Sequence, residues 1–160
     1  MTQKITPMLW FDNEAEEAAE FYVGLFPDAR ILEVSRYGEG MPKPAGTALV
    51  VNFEIAGQRY QALNGGPDFK FTEAVSFVVD CADQKEVDYY WDAMTADGGE
   101  ESQCGWLKDK YGVSWQIIPQ QLSSLIGGPD PAAAQRATQA MFGMRKLDIQ
   151  GLQDAYDGKS

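Results

Sequence analysis

The sequence contains no histidine, and this absence removes the commonest general base and the commonest metal ligand of proteins. Catalytic arrangements that pair histidine with serine or cysteine are therefore excluded. Cysteine is also scarce. The two cysteines, Cys81 and Cys104, are too few for a disulfide framework or a zinc site, so we expect free thiols.

Positive charge is the second scarce feature, with 13 lysines and arginines against 24 acidic residues and a formal net charge of −11. This balance disfavours nucleic acids and anionic membranes, both of which need a basic surface. No apolar run approaches the roughly 20 residues of a membrane span. The N-terminal residues begin no signal-peptide pattern, and we expect a cytoplasmic protein.

A motif that occurs twice is the strongest positive signal. The first copy ends a strand-like run with Phe11-Asp12 and has the aromatic pair Phe21-Tyr22 nine and ten residues after the aspartate. The second copy has Val79-Asp80 and Tyr89-Tyr90 at the same spacing, offset by 68 residues. The duplication predicts two related units that close on one site.

Strand and helix signals around each copy predict two modules of one strand, one helix and three further strands. Asn13 with Glu16, and Asp83 with Glu86, have the spacing of capping boxes and predict the start of each helix. The predicted strands are 5–11, 29–37, 47–55 and 58–64, then 74–81, 104–110 and 113–119, with a weakly marked strand near 100–103. The modules cover about residues 4–66 and 72–119 of a single domain, 1–160.

The remaining residues, about 120–157, are predicted to be a helical extension. Asp130-Pro131 provides an N-cap followed by proline at the first helical position, and Asp148 is predicted to cap a final short helix. The apolar stripe of these helices is expected to pack on the sheet or on a second subunit.

This doubled unit resembles the vicinal oxygen chelate superfamily, which includes glyoxalase I, extradiol dioxygenases and bleomycin-resistance proteins. Within it, the chain is similar to the PhnB-like branch, often labelled 3-demethylubiquinone-9 3-methyltransferase. The resemblance implies an α+β fold of two βαβββ modules, forming a curled mixed sheet around a cavity, with the C-terminal helices added. The stretches that carry it are 5–11, 62–67, 104–117 and 135–141.

Metal enzymes of that superfamily hold a divalent ion with histidine, glutamate or glutamine from the first and last strands of each module. The last-strand pattern falls on Asp109, Gly112 and Gln116, so an amide stands where a glutamate ligand is usual. The other positions read Thr6 or Pro7, Asn64, and Ala74 or Val75. This donor set is poor for Zn, Ni or Fe, and Asp68 stands where relatives often have histidine. We expect no metal and no cofactor.

Alternation along the strands predicts which side chains face the cavity. In strand 74–81 these are Ala74, Ser76 and Val78, and in strand 113–119 they are Ser114, Gln116 and Ile118. The residues predicted to contact a ligand are Gln116, Asn64, Ser76, Ser114, Trp106, Asp68 and Cys104. Structural roles stay open for several: a turn at Asn64, a buried thiol at Cys104, a core or dimer position for Trp106, and backbone contacts for Gln116. Asp109 is expected to be structural, at the turn before Tyr111-Gly112.

The predicted function is the binding of an uncharged or aromatic small molecule without a metal, and whether the protein also catalyses a reaction is left open. A metal-dependent enzyme of the glyoxalase or dioxygenase type is one alternative. A methyltransferase is another, although Gly38-Glu39-Gly40 is only a weak fragment of a cofactor loop. A structural dimer with no ligand is the fourth possibility. A homodimer is expected in any of these cases.

Overall fold

The chain folds into two compact units, as seen in a computed structural model that describes residues 3–159. The first unit ends at Phe71 and the second begins at Thr72. Each unit has its own sheet, with a helix packed on one face. We call the opposite face of each sheet its open face. Within residues 3–159, no helix combines the length and the apolar character that a membrane crossing requires.

The first unit has the predicted order of one strand, one helix and three strands. Its elements are β1 (Met8–Phe11), α1 (Ala15–Leu25), β2 (Ala29–Arg36), β3 (Ala48–Ile55) and β4 (Gln58–Asn64). The strands lie in the order β1-β4-β3-β2, with β1 parallel to β4 and the other neighbours antiparallel. The α+β class and the mixed sheet of this module are thus confirmed.

Helix α1 covers one face of this sheet with aromatic packing. Tyr22 of α1 stacks on Phe53 of β3, and Phe53 stacks on Tyr60 of β4, with ring centroids 6.2 and 5.4 Å apart. Asn52 and Glu54 alternate with the buried Phe53 and are only half-buried. They therefore lie on the open face, as the period of two in a strand requires.

The start of α1 differs from the sequence prediction, and the Asn13–Glu16 capping box is wrong. The N-cap position is Glu14, which makes no side-chain capping bond. Instead, Asn64 Oδ1 accepts a hydrogen bond of 2.8 Å from the backbone N–H of Ala15. The reason is strand register, because Asn64 pairs with Phe11 at the point where β1 leads into the helix.

The second unit repeats the same plan. Its elements are β5 (Ser76–Cys81), α2 (Gln84–Thr95), β6 (Glu100–Glu101), β7 (Trp106–Lys108) and β8 (Ser114–Pro119). The strand order is β5-β8-β7-β6, again with a parallel first pair and antiparallel neighbours. The weakly marked strand near 100–103 is the two-residue β6, which pairs with β7.

The doubled motif has the same structural role in both units. Phe21 and Tyr22 contact each other with centroids 5.7 Å apart, and Tyr89 and Tyr90 do so at 4.9 Å. In each pair the second ring is buried against the sheet, whereas Tyr89 is half exposed. The repeated aromatic pair therefore fixes each helix on its own sheet.

The start of α2 confirms its sequence prediction. Asp83 Oδ1 accepts a hydrogen bond of 2.9 Å from the backbone N–H of Glu86. The Glu86 carboxylate accepts in return from the N–H of Ala82 at 3.3 Å, one residue before the expected partner. The spacing of Asp83 and Glu86 thus predicts the start of α2 correctly, whereas the same spacing at Asn13 and Glu16 did not predict the start of α1.

Three helices follow the second sheet: α3 (Leu122–Ile126), α4 (Pro131–Phe142) and α5 (Ile149–Tyr156). The predicted cap of α4 is confirmed, because Asp130 Oδ1 accepts from the N–H groups of Ala132 and Ala133. Helix α3 falls within the predicted helical extension of about 120–157, although no cap was predicted for it. The helices pack on one another and on Ile118 of β8 through a buried cluster of Leu122, Leu125, Ala137, Leu147 and Leu152.

The first turn of α5 is capped from a distance. Asp148 occupies the N-cap position, as predicted, but makes no side-chain capping bond. Gln84 Oε1 accepts a hydrogen bond of 2.8 Å from the N–H of Ile149, and Gln84 Nε2 donates to the carbonyl of Leu147. One amide on α2 thus attaches the C-terminal helices to the second unit.

Candidate functional site

The open face of the second sheet brings several predicted residues together. Phe77 and Trp115 face α2 with their rings 5.4 Å apart, so the side chains that alternate with them point the other way. Ser76 is the register partner of Ser114, and Gln116 Nε2 donates a hydrogen bond of 3.0 Å to Ser76 Oγ. Ser76, Ser114 and Gln116 thus share one face, as alternation predicted, whereas Ala74, predicted to lie on the same face, precedes the start of β5.

Ser114 carries the unusual atom of this group. Its side chain is 1% exposed, and its Oγ has no hydrogen-bond partner within residues 3–159. A buried hydroxyl without a partner costs about 1–3 kcal/mol relative to a satisfied one. The Ser114 hydroxyl can therefore donate and accept a hydrogen bond beside the bond between Ser76 and Gln116.

Trp106 and Lys108 extend this face along β7. Trp106 is the register partner of Gln116 and is half-buried, so its indole stands on the same face. Lys108 is the partner of Ser114 and forms an ion pair with Glu73. The hydrogen bond from Lys108 lowers the pKa of Glu73, and Glu73 in turn raises the pKa of Lys108. At the edge of this polar group the Lys108 charge is thus paired with Glu73, and Glu100, the register partner of Lys108 on β6, adds a further carboxylate.

Asn64 has a different place from the one that its predicted ligand role requires. It is 1% exposed on the helix-facing side of β4, where it caps α1 through Oδ1. Its Nδ2 donates a hydrogen bond of 2.9 Å to the carbonyl of Ala48. Both ends of the amide are used inside the framework of the first unit, so we leave Asn64 out of the proposed binding set.

Asp68 and Cys104 were also predicted to contact a ligand. Asp68 is exposed in the first unit, after the end of β4. Cys104 has a φ of 56°, which a residue with a Cβ rarely adopts, and its N–H donates to the carbonyl of Met144. The backbone of Cys104 thus serves the attachment of the C-terminal helices.

The two thiols are predicted to react at very different rates. Cys81 is buried, and burial together with the nearby carboxylates of Glu86, Asp80 and Asp83 raises the pKa of its thiol to about 12. Since the thiolate is the nucleophile, we expect a maleimide to label half-buried Cys104 in the native protein at pH 8 while Cys81 stays unmodified until denaturant is added. Peptide mass spectrometry gives the labelled site, and equal labelling of both thiols in the native state would contradict the buried position of Cys81.

A cavity of about 310 Å³ lies within the first unit and was missed by the sequence reasoning. In its lining, Gln61 Nε2 donates a hydrogen bond of 2.8 Å to Asn52 Oδ1, and the two residues are register partners on β4 and β3. Alternation along β3 and β4, applied there as it was to β5 and β8, would have placed both amides on the open face. The cavity is lined by Thr6, Leu32, Glu33, Asn52, Arg59 and Gln61.

The donor set of the chain does not fit the divalent metal of the superfamily's enzymes. Within residues 3–159, no group of three or more His, Cys, Asp or Glu side chains is arranged to hold a metal ion. Of the positions considered from the sequence, Gln116 donates to Ser76, Asn64 caps α1, and Thr6 offers only a hydroxyl. Neutral amides and hydroxyls bind Zn, Ni or Fe weakly.

Comparisons with known proteins agree on one family. Residues 3–118 match the model of the 3-demethylubiquinone-9 3-methyltransferase family. A putative 3-demethylubiquinone-9 3-methyltransferase of Bacillus cereus, described as a PhnB protein, is 36% identical over 73% of this chain and 99% of its own, with a TM-score of 0.68. No curated protein sequence matches the chain significantly.

Two more distant structures share the fold. Protein PA1353 of Pseudomonas aeruginosa is 17% identical over 74% of this chain and 98% of its own, with a TM-score of 0.61. The fosfomycin resistance protein FosX of Mesorhizobium loti is 13% identical over 74% of this chain and 91% of its own, with a TM-score of 0.52. Helices α3, α4 and α5 lie beyond residues 3–118, as does the stretch 135–141.

Proposed function

We propose that this chain, which belongs to the 3-demethylubiquinone-9 3-methyltransferase family in the PhnB-like branch of the vicinal oxygen chelate superfamily, binds an uncharged or aromatic small molecule without a divalent metal. The unpartnered hydroxyl of buried Ser114, beside the Ser76–Gln116 hydrogen bond, is the observation that carries the proposal. A ligand with one polar group would satisfy that hydroxyl, and burial would strengthen the hydrogen bond. Trp106 supplies an aromatic surface on the same face of the sheet.

The donor chemistry supports binding without a metal. Hydroxyls and an amide offer directional hydrogen bonds to a neutral ligand, whereas an oxygen-chelating ion would need carboxylates or imidazoles. Histidine is absent from the sequence, and the charged side chain beside the group, Lys108, is already paired with Glu73. Whether the bound molecule reacts is a separate matter, and the proposal extends only to binding.

The test is to identify a bound molecule and to make its retention depend on Gln116. We expect native mass spectrometry of gently purified protein to show an added organic mass, and Gln116→Leu to lower its occupancy about tenfold through loss of a buried hydrogen bond. The matched control is Gln120→Leu, an exposed glutamine that follows β8. Equal occupancy in the two variants would rule out a site at Gln116, and a stoichiometric transition metal in dialysed protein would favour a metal enzyme instead.

The alternative function is the methyltransferase activity that the family description names. The fragment Gly38-Glu39-Gly40 lies between antiparallel β2 and β3. Nucleotide-type cofactors are usually held by a glycine-rich turn from a strand into a helix of a parallel sheet, so the position of this fragment does not favour a methyltransferase. Micromolar binding of S-adenosylmethionine in calorimetry would favour this alternative over simple binding.

We further propose a cytoplasmic homodimer. Both cysteines are free thiols, as expected in a reducing compartment. The apolar stripe of α4 is packed within the second unit, so the dimer proposal relies on exposed apolar side chains such as Val75 and Val78, which are 69% and 57% exposed. Sedimentation at micromolar concentration distinguishes a dimer from a monomer.

A further inference from the structure

The side-chain amides of Asn52 and Gln61, which are hydrogen-bonded to each other in the cavity of the first unit, each keep one group that this bond does not use. One of these groups is an acceptor and the other is a donor. Gln61 Nε2 donates to Asn52 Oδ1, and no other side-chain hydrogen bond of either amide occurs within residues 3–159. The carbonyl oxygen of Gln61 is then a free acceptor, and the Asn52 NH₂ group is a free donor. Both side chains are half-buried, so a ligand in the cavity can replace water at these two groups.

This donor–acceptor pair does not depend on how the amides are oriented. Turning both amides together by 180° exchanges the positions of their oxygen and nitrogen atoms. The bond would then run from Asn52 Nδ2 to Gln61 Oε1, which leaves the Asn52 oxygen and the Gln61 NH₂ group free. One donor and one acceptor remain in either case, and only their order changes.

The rest of the lining adds one apolar side chain, one hydroxyl and one charge of each sign. A register shift between Ile31 and Glu33 places the neighbours Leu32 and Glu33 along one cavity, although strand neighbours normally face opposite sides. Leu32 is apolar. Glu33 and Arg59 contribute one charge of each sign, which favours a ligand without net charge. A volume of about 310 Å³ admits a small ring and is at the lower end of the range for ligand sites.

We propose that this cavity recognises the edge of an amide, in which a carbonyl acceptor stands beside an N–H donor on a small apolar body. Primary carboxamides and lactams present that edge, and the free ends of Asn52 and Gln61 are complementary to it. The inference goes beyond the proposed site at Gln116, because it concerns a second site, in the first unit, and names the chemical class of its ligand. A ligand that lacks the N–H group would leave one amide of the pair unsatisfied, which costs about tenfold in affinity.

The first experiment compares two probes of similar shape on the full chain. Benzamide presents the complete amide edge, whereas N,N-dimethylbenzamide has no N–H donor. We expect benzamide to bind in the millimolar range, to shift the side-chain NH₂ signals of Asn52 and Gln61 in ¹H–¹⁵N spectra, and to bind about tenfold more tightly than the dimethyl compound. Unshifted Asn52 and Gln61 signals at saturating benzamide, or equal affinity for both probes, would overturn the inference.

The second experiment changes the hydrogen-bonding character of the pair. In Gln61→Glu the new carboxylate accepts from Asn52 Nδ2, so both free ends become acceptors and should select a ligand with two donors. We expect the ratio of benzamidine to benzamide affinity to rise at least tenfold over the wild-type ratio. The control is Gln58→Glu, which adds the same charge on β4 at an exposed position outside the cavity lining, and it should leave the ratio unchanged.

The outcomes separate this inference from the broader proposal. If the ratio of benzamidine to benzamide affinity rises equally in Gln61→Glu and Gln58→Glu, the rise comes from long-range charge, and the proposed recognition of an amide edge is overturned. Co-purification of an organic molecule that depends on Gln116 would still support small-molecule binding in that case. Conversely, a probe response at Asn52 and Gln61 stands even if occupancy at Gln116 fails, because the two readouts come from different units. If Gln61→Glu does not fold, by circular dichroism, the wild-type probe comparison decides alone.

Discussion

Replacing Asp109 with alanine is expected to lower the free energy of unfolding by about 3–5 kcal/mol. The carboxylate is 2% exposed in the turn between β7 and β8. Its Oδ1 accepts from the backbone N–H groups of Tyr111 and Val113 at 2.9 and 3.1 Å, and its Oδ2 accepts from Trp115 Nε1 at 2.9 Å. Alanine leaves these three donors without their partner, two of them fixed by the hairpin. Urea unfolding monitored by tryptophan fluorescence measures the loss.

Two further variants make the Asp109 result interpretable. Asp109→Asn keeps the shape and one acceptor but turns an NH₂ group toward the Trp115 N–H, so an intermediate loss of about 2 kcal/mol is expected. Asp68→Ala removes an exposed carboxylate and should change stability by less than about 0.5 kcal/mol. If Asp109→Ala and Asp68→Ala unfold at the same urea concentration, the turn does not depend on the buried carboxylate.

Replacing Asn64 with alanine is the second change with a large expected effect, about 2–4 kcal/mol of stability. The variant removes both the cap of α1, at the N–H of Ala15, and the hydrogen bond to the carbonyl of Ala48. Because the site is 1% exposed, water does not readily replace either bond. We expect the urea midpoint to fall and the amide of Ala15 to lose protection in hydrogen exchange.

Asn13, which the sequence predicted as the cap of α1, provides the matched control. Asn13 is exposed, and its Oδ1 accepts a hydrogen bond from Lys43 Nζ rather than from the helix. Asn13→Ala should therefore cost less than about 0.5 kcal/mol and leave the exchange of Ala15 unchanged. A larger loss for Asn13→Ala than for Asn64→Ala would mean that α1 is capped locally after all. It would also return Asn64 to the residues available for a ligand.

Much of the fold was accessible from local patterns in the sequence. The spacing from Asp12 to Phe21-Tyr22, repeated at Asp80, predicted two modules, and both have the same strand order. The caps at Asp83 and Asp130 were correct because each acceptor lies two or three residues from its donor. Alternation in β5 and β8 correctly placed Ser76, Ser114 and Gln116 on one face, since a strand has a fixed period of two.

The cavity of the first unit depends on strand pairing and on a bulge, which local sequence patterns do not predict. Asn52 and Gln61 are nine residues apart and meet only through the register of β3 and β4. Leu32 joins Glu33 at the cavity because of a bulge, which interrupts the alternation that a sequence reader relies on. Alternation would have placed both amides on the open face, but no local pattern predicts that they pair or that Leu32 joins Glu33.

The sequence by itself determined the duplicated modules, the helix starts at Asp83 and Asp130 and, through the absence of histidine, that no site of this chain contains an imidazole. The tertiary structure alone decided that Asn64 caps a helix 49 residues earlier, that Gln84 caps one 65 residues later, and that Ser114 keeps a buried hydroxyl without a partner within residues 3–159. The physical reason is the separation along the chain between the donor and the acceptor of each hydrogen bond. Hydrogen bonds between near neighbours follow from spacing along the chain, whereas those between distant residues depend on strand register and packing, which many residues set together.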